Sequence, residues 1–264
     1  MTLNSPTFET VILTITPPFA QVMLNRPAVK NAMNNQMVLD LIATFDSLKD
    51  NRELRAIVLS GAGGTFCAGG DIKEMVQAVQ TGATDNFSGS LDKMLKTINE
   101  APQVVIAKIE GAAMGGGFGI VCVADIAIAS TEAKMGLPEV RLGIVPALIS
   151  PYVIERVGLT RARELMLTGR RFDGYVAQQY GIVHEAVVPE ELDARVQVIL
   201  EEIKQCSPHA LAACKQLIFA VKDASTDAMV DYRANLLTEL RRSADGQEGM
   251  TAFMEKRPPK WTSQ

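Results

Sequence analysis

Two strand-to-glycine-loop-to-helix units, followed by a long run of helical periodicity, predict an α/β (α+β) fold for this 264-residue chain. The first unit leads from Arg55-Ala56-Ile57-Val58-Leu59-Ser60 into Phe66-Cys67-Ala68-Gly69-Gly70-Asp71, the second from Val104-Val105-Ile106-Ala107 into the segment between Gly111 and Gly117. They are spaced about 50 residues apart, as in a repeated supersecondary unit. Hydrophobic residues make up 47% of the chain and charged ones 21%, which excludes disorder and collagen-like structure. A chain of this length removes roughly three quarters of its unfolded surface from water and needs no metal or disulfide staple to fold.

The elements follow in order. Apolar alternation at Val11, Leu13 and Ile15, then Pro17-Pro18, predicts two short strands around a turn between Thr10 and Leu24. Asn25-Arg26-Pro27 closes that unit. Met33, Met37, Leu41, Phe45 and Leu48 recur at helical spacing, with Asn31 expected to cap the helix they form. Arg55 to Ser60 reads as a buried strand ending at Gly61. Val104 to Ala107 is another, and the glycines at 115–117 open a helix through Val121 and Cys122. Asp125-Ile126-Ala127-Ile128-Ala129 is a further strand. Beyond Gly158 the pattern is helical: 159–168, 175–180, roughly 190–205, 208–221 and 226–256. A boundary between an α/β body and a helical C-terminal part is expected near 195–205.

Twenty-six basic against thirty acidic residues give a net charge of −4, and the basic residues are scattered instead of forming a stripe, so nucleic-acid binding is disfavoured. Cys67, Cys122, Cys206 and Cys214 show no close paired spacing, and with only His184 and His209 no His/Cys metal cluster can be assembled. Reduced thiols of a cytoplasmic protein are the expectation. The segment MTLNSPTFETVILTITPP lacks the basic start and apolar stretch of a signal peptide, and no run of about 18 apolar residues offers a membrane span.

Twenty glycines beside two histidines suggest chemistry carried by backbone groups. Both glycine loops stand between a strand and a helix. Bare backbone at such a junction can point N–H groups at an anion, aided by the helix N-terminus. Two N–H groups from separate loops make an oxyanion hole for a carbonyl oxygen becoming enolate. Glycine serves tight packing between layers equally well, and the spacing leaves both readings open. Neither loop has the spacing of the GxGxxG or GxxxxGK[ST] phosphate-binding motifs.

The segments FCAGGDIKEM, EGAAMGGGFGIVCVADIAIAS, MGLPEVRLGIVP and GQEGMTAFMEKR, in this order, resemble the crotonase superfamily of enoyl-CoA hydratases and isomerases, from LNRPAVKNAM at residue 24 to the end. The resemblance implies a spiral of ββα units over 1–198, a helical trimerisation region over 199–264, and a homotrimer or a hexamer built as a dimer of trimers. It also implies an acyl thioester of coenzyme A as substrate, with no cofactor apart from the CoA that is part of that substrate; the absence of a metal, nucleic-acid or membrane partner is expected from the charge, cysteine and histidine content and hydropathy above. Residue by residue, the oxyanion donors fall on the backbone N–H groups of Gly70 and Gly116. Asp71, Ile72 and Lys73 fall where the family holds the CoA portion. Phe253 and Lys256 match positions that contact CoA from a neighbouring subunit.

Two-carboxylate hydratases of the family have a glutamate two residues after the glycine run and a second in a PE segment. Here the second is Glu139 and the first position is Gly119. Glu139 follows Pro138 in an apolar stretch, where poor solvation raises a carboxyl pKa toward the range of a general acid. The segments GGGFGIVCVADIAIA, EVRLGIVPALISPYVIERVG and SADGQEGMTAFMEKR resemble bacterial hydratases of 3-methylglutaconyl-CoA and isohexenylglutaconyl-CoA, which act in leucine or isovalerate and acyclic-terpene breakdown. The resemblance therefore implies hydration of a branched 2-enoyl-CoA. Gly119 is expected to leave room for the β-branch, and Arg141 or the 75–95 segment to meet a distal carboxylate. The alternatives are a Δ3,Δ2-enoyl-CoA isomerase using Glu139 alone and a catalytically impaired CoA- or RNA-binding scaffold. The net charge and the retained Glu139 argue against the scaffold. The same fold also hosts thioesterase, dehalogenase and carbon–carbon lyase chemistry.

Overall fold

A computed structural model describes residues 7–82 and 86–263. The α/β body begins with strands β1 (Val11–Thr16) and β2 (Phe19–Leu24), antiparallel across the Pro17-Pro18 turn, as the alternation and the proline pair predict. Helix α1 (Asn35–Leu48) and strand β3 (Ala56–Gly61) follow. Next come α2 (Ile72–Thr81), α3 (Asn86–Asn99), β4 (Val104–Ile109), β5 (Ala112–Met114), α4 (Gly116–Val123), β6 (Ile126–Ser130) and β7 (Lys134–Gly136). The chain continues through α5 (Ser150–Thr168), β8 (Arg171–Phe172), α6 (Gly174–Gln179) and β9 (Glu185–Val187) to four helices: α7 (Leu192–Lys204), α8 (Pro208–Val221), α9 (Val230–Arg242) and α10 (Ala244–Met254).

The main sheet has the order β1-β2-β3-β4-β6-β9, parallel from β2 onward, and a small sheet has the order β5-β7-β8. Strands buried on both faces read as continuous apolar runs. Alternate residues therefore serve two layers. Ile57, Leu59, Val105, Ala107, Ala127 and Ala129 join the core built by α1, α3 and α4, whereas Ala56, Val58, Ile106 and Ile128 pack beneath Leu192, Val196, Ile199, Leu200 and Ile203 of α7. The expected boundary at 198/199 thus falls inside a helix whose apolar face is docked on the sheet.

Two helix starts differ from the sequence reading. Asn34, not Asn31, caps α1 by accepting from the Met37 N–H at 3.0 Å. Asn31 is fully buried in the left-handed region (φ 54°), which asparagine tolerates better than most residues. Its Oδ1 accepts from Arg26 N at 2.8 Å, and its Nδ2 donates to Ala62 O at 2.9 Å and Thr65 O at 2.6 Å, pinning the loop after β3. Asn31→Ala is expected to cost about 2–3 kcal/mol of stability in urea unfolding, because buried polar groups lose their partners. α5 also starts earlier than the sequence reading, at Ser150, but non-helical backbone at Gly158 (φ 72°, ψ 163°) breaks it, and the part beyond that kink is the helix expected over 159–168.

The helix expected over 226–256 is two helices. Ser243 is extended, ends α9 and caps α10 by accepting from Gly246 N at 3.0 Å. A serine that offers its hydroxyl to the backbone favours such a junction over a helix interior. Cys67 and Cys122 are buried thiols, Cys206 and Cys214 exposed ones. No helix among the described residues is long and apolar enough to cross a membrane.

Candidate active site

Three segments meet at the site. The first is the loop Phe66 to Asp71, laid against α1's entry on one side and β5 on the other. Met33 N donates to Gly69 O at 2.7 Å and Asp71 N to Met33 O at 2.8 Å, so the residue between them, Gly70, turns its own N–H away from that pairing. The second is β5 and the start of α4. Cys67 N donates to Ala112 O at 2.8 Å and Met114 N to Cys67 O at 3.0 Å, which locks the two loops together. Gly116 is the first residue of α4, where a helix leaves an N–H without an internal acceptor. Among the described residues neither the Gly70 nor the Gly116 N–H meets an acceptor.

The loops abut at two glycines with positive φ, Gly69 (105°) and Gly115 (51°). A Cβ on Gly69 would lie 3.2 Å from Met114 O, and one on Gly115 would lie 3.9 Å from the Gly69 Cα. Side chains are thus excluded from the seam by both conformation and space, and Gly70 and Gly116 follow immediately on its two sides. Gly117 has the packing role: a Cβ there would sit 2.6 Å from the Cys67 Cβ.

The third segment is the short 3-10 turn Pro138–Leu142, which carries Glu139. Its Oε1 lies 3.1 Å from where a Cβ on Gly115 would stand, so the carboxyl rests on the seam itself. Its Oε2 is buried and has no hydrogen-bond partner among the described residues. Burial holds the carboxyl above its ordinary range, opposed in part by a backbone N–H, as the apolar context of the sequence predicts. Two N–H groups can stabilise a carbonyl oxygen gaining negative charge, and a carboxyl beside them can exchange a proton with the adjacent carbon.

Several expected residues have other engagements. Asp71 caps α2 and pairs with Arg26 at 3.0 Å, while the same guanidinium donates to Ala32 O. Ile72 and Lys73 are exposed on the first turn of α2. Phe253, 86% exposed on α10, and Lys256 just after it stand on the C-terminal helices, not on the three segments that build the site. Arg141 donates from Nε and Nη2 to Thr168 O at 3.2 and 3.1 Å, at the end of α5. Of the 75–95 segment, residues 83–85 lie outside the described residues. The room expected at Gly119 is not there: a Cβ at that position would lie 2.4 Å from Ile149 Cγ2, because the isoleucine fills the space.

Sequence reading missed Met33 as a wall of the seam and singled out Met75 only as the start of the 75–95 segment. A methyl on Gly70 would meet Met75 Sδ at 3.3 Å, and one on Gly116 would meet Met33 Sδ and Cε at 3.6 Å. Met33 was legible only as one position of a helical stripe, and Met75 only as the first residue of a segment expected to face the far end of the substrate, not the glycine loops.

The chain matches the model of the family described as enoyl-CoA hydratase/isomerase over residues 15–264. It is similar to the human mitochondrial enoyl-CoA hydratase domain-containing protein 2, with 32% identity over 247 residues covering 91% of this chain and 84% of the relative. Among solved structures it is similar to Pseudomonas aeruginosa AtuE, with a TM-score of 0.93, 42% identity, and 96% and 100% of the two chains covered. An enoyl-CoA hydratase/isomerase from Marinobacter aquaeolei superposes with a TM-score of 0.92 and 43% identity, over 96% of this chain and 99% of that one. The chain belongs to the enoyl-CoA hydratase/isomerase family.

Proposed function

We propose that this protein is a hydro-lyase that adds water across the double bond of a 2-enoyl thioester of coenzyme A. Its substrate is β-branched and ends in a carboxylate, as in 3-methylglutaconyl-CoA or isohexenylglutaconyl-CoA. The observation that carries the reading is Glu139, whose buried Oε2 at the seam has no partner among the described residues, beside two backbone N–H groups that among those residues also lack acceptors. The thioester oxygen accepts from Gly70 and Gly116. Water oxygen bonds to the β-carbon, the π pair moves through the α-carbon onto the thioester oxygen, and the α-carbon takes a proton from Glu139. The proton shed by the water returns to the carboxylate, so the cycle closes with no cofactor beyond the CoA of the substrate.

The branched acyl group is supported by the resemblance of the segments after residue 115 and by the walls of the seam. Met33 and Met75 are unbranched and adapt to irregular shapes. Asp71, Ile72 and Lys73 hold the near part of CoA in this reading, and Phe253 and Lys256 reach the CoA of a neighbouring subunit in a trimer or hexamer. The exposure of Phe253 supports that assignment.

A second reading, a double-bond isomerase, draws on the same single carboxylate, since moving one proton between two carbons needs neither water nor a second base. The test is incubation of the purified protein with 3-methylglutaconyl-CoA and with an unbranched 3-enoyl-CoA. Hydration removes the absorbance of the conjugated thioester, and isomerisation creates it. Turnover of the first substrate alone is expected; turnover of the second alone would establish the isomerase.

A further inference from the structure

The absent carboxylate at 119 has a physical counterpart 30 residues away in sequence. Gly119 N donates to Gly115 O at 3.0 Å, one turn along α4 from the glycine on which Glu139 rests. Four residues of helix advance about 6 Å, so position 119 is the next along that helix from the reacting carboxyl. A Cβ there would lie 2.4 Å from Ile149 Cγ2, 3.1 Å from Ile149 Cβ and 3.6 Å from Leu95 Cδ2. Ile149 is only 3% exposed and Leu95 is fully buried.

Ile149 has little freedom to yield. It is the residue before α5, its carbonyl accepts from Val153 N at 3.0 Å, and the preceding turn is closed by Ser150 Oγ donating to Ala147 O at 2.7 Å. A β-branched side chain has few χ1 choices, and a closely packed surround removes more. We propose that Ile149 is a specificity-determining residue: it fills, from α5, the volume that any side chain at 119 would enter. That wall of the site is thereby kept apolar and free of a second ionisable group, and proton exchange is confined to Glu139. This inference rests on the hydratase reading for its catalytic consequence and on packing alone for its steric one.

The experiment separates the two. Alanine favours a helix interior over glycine, so Gly119→Ala should stabilise the protein unless the new methyl collides. In the wild-type background Gly119→Ala is expected to lower the thermal midpoint by several degrees; in an Ile149→Ala background the same change is expected to be neutral or stabilising. The same sign and size in both backgrounds would overturn the steric claim. Gly119→Glu is expected to lose at least about 10-fold in kcat/KM on 3-methylglutaconyl-CoA relative to wild type. Gly119→Glu with Ile149→Ala is expected to recover at least 10-fold over Gly119→Glu, and to add a second ionisation to its pH profile between about pH 4 and 7. A structural role alone would not create that ionisation. Recovery without it, or neither, would overturn the claim that Ile149 excludes a second acid–base group. Failure of the wild type to hydrate any enoyl-CoA sinks the hydratase reading but leaves the thermal comparison standing.

Discussion

Glu139→Gln is expected to lower kcat by roughly 100- to 10,000-fold, the range for a lost general acid–base group, with KM little changed and the thermal midpoint equal to or above wild type at neutral pH. The amide keeps the shape of the carboxyl but cannot exchange a proton with carbon. The stability half of the prediction follows from the environment. Oε2 is buried without a partner among the described residues, and burial raises the pKa of the group above its ordinary 4.5. A carboxyl whose folded pKa lies above its unfolded one binds protons more tightly when folded. Its contribution is therefore present below the unfolded pKa and is lost as pH rises through the raised folded value. At neutral pH the folded protein carries that penalty; glutamine has no such ionisation. Calorimetry of both proteins between about pH 4 and 8 checks the sign: the gap should open as pH rises. The rate should show the same group. kcat/KM for hydration falls on the alkaline side as Glu139 loses its proton, and that limb is missing in the glutamine protein. Near-normal turnover would remove Glu139 from the mechanism, and a lowered midpoint would assign it a structural role.

What the sequence made legible is set by range. Ile57-Val58-Leu59 and Val105-Ile106-Ala107 announce strands buried on both faces, and Met37, Leu41, Phe45 and Leu48 announce one helical face, because each pattern is contained in a few turns of chain. Strands β5, β7, β8 and β9 have two or three residues each, too short to show any period. Asn31 and Asn34 are both plausible caps by composition; only the left-handed backbone and the long-range partners of Asn31 decide between them. At the site, the two glycine loops and Glu139 could be singled out from sequence. That Gly117 serves packing whereas Gly116 has a free N–H depends on where Cys67 lies, and that Gly119 is filled depends on Ile149. Both facts are contacts between distant segments. Arg26 shows the same limit: it reads as part of a turn, yet it holds Asp71 at the base of the first loop.

Asp125→Ala is expected to destabilise the protein by about 3–5 kcal/mol, whereas Lys215→Met should cost far less, although the two changes break the same pair. Lys215, on α8, is 8% exposed; its Nζ meets Asp125 Oδ2 at 2.6 Å and Gln103 O at 3.2 Å. The same Oδ2 accepts from Val105 N at 2.7 Å. Removing the aspartate strands a buried ammonium opposite one carbonyl and leaves a strand N–H unpaired. Removing the lysine charge leaves Asp125, which is more exposed, its bond to Val105. Burial lowers the Lys215 pKa and Asp125 opposes that shift. With a folded pKa below the unfolded value, the folded state binds fewer protons across the intervening window, so stability rises with pH there. Loss of Asp125 moves the folded pKa lower still and extends the window downward. The alanine protein should therefore regain part of its lost stability as urea unfolding is repeated from neutral toward alkaline pH, and Asp125→Ala combined with Lys215→Met should regain it at neutral pH. Because Asp125 stands two residues beyond the end of α4, whose first residue offers the Gly116 N–H, loosening this pair should also lower kcat more than it raises KM. A loss confined to stability would show that α4 holds its N-terminal end without support from α8.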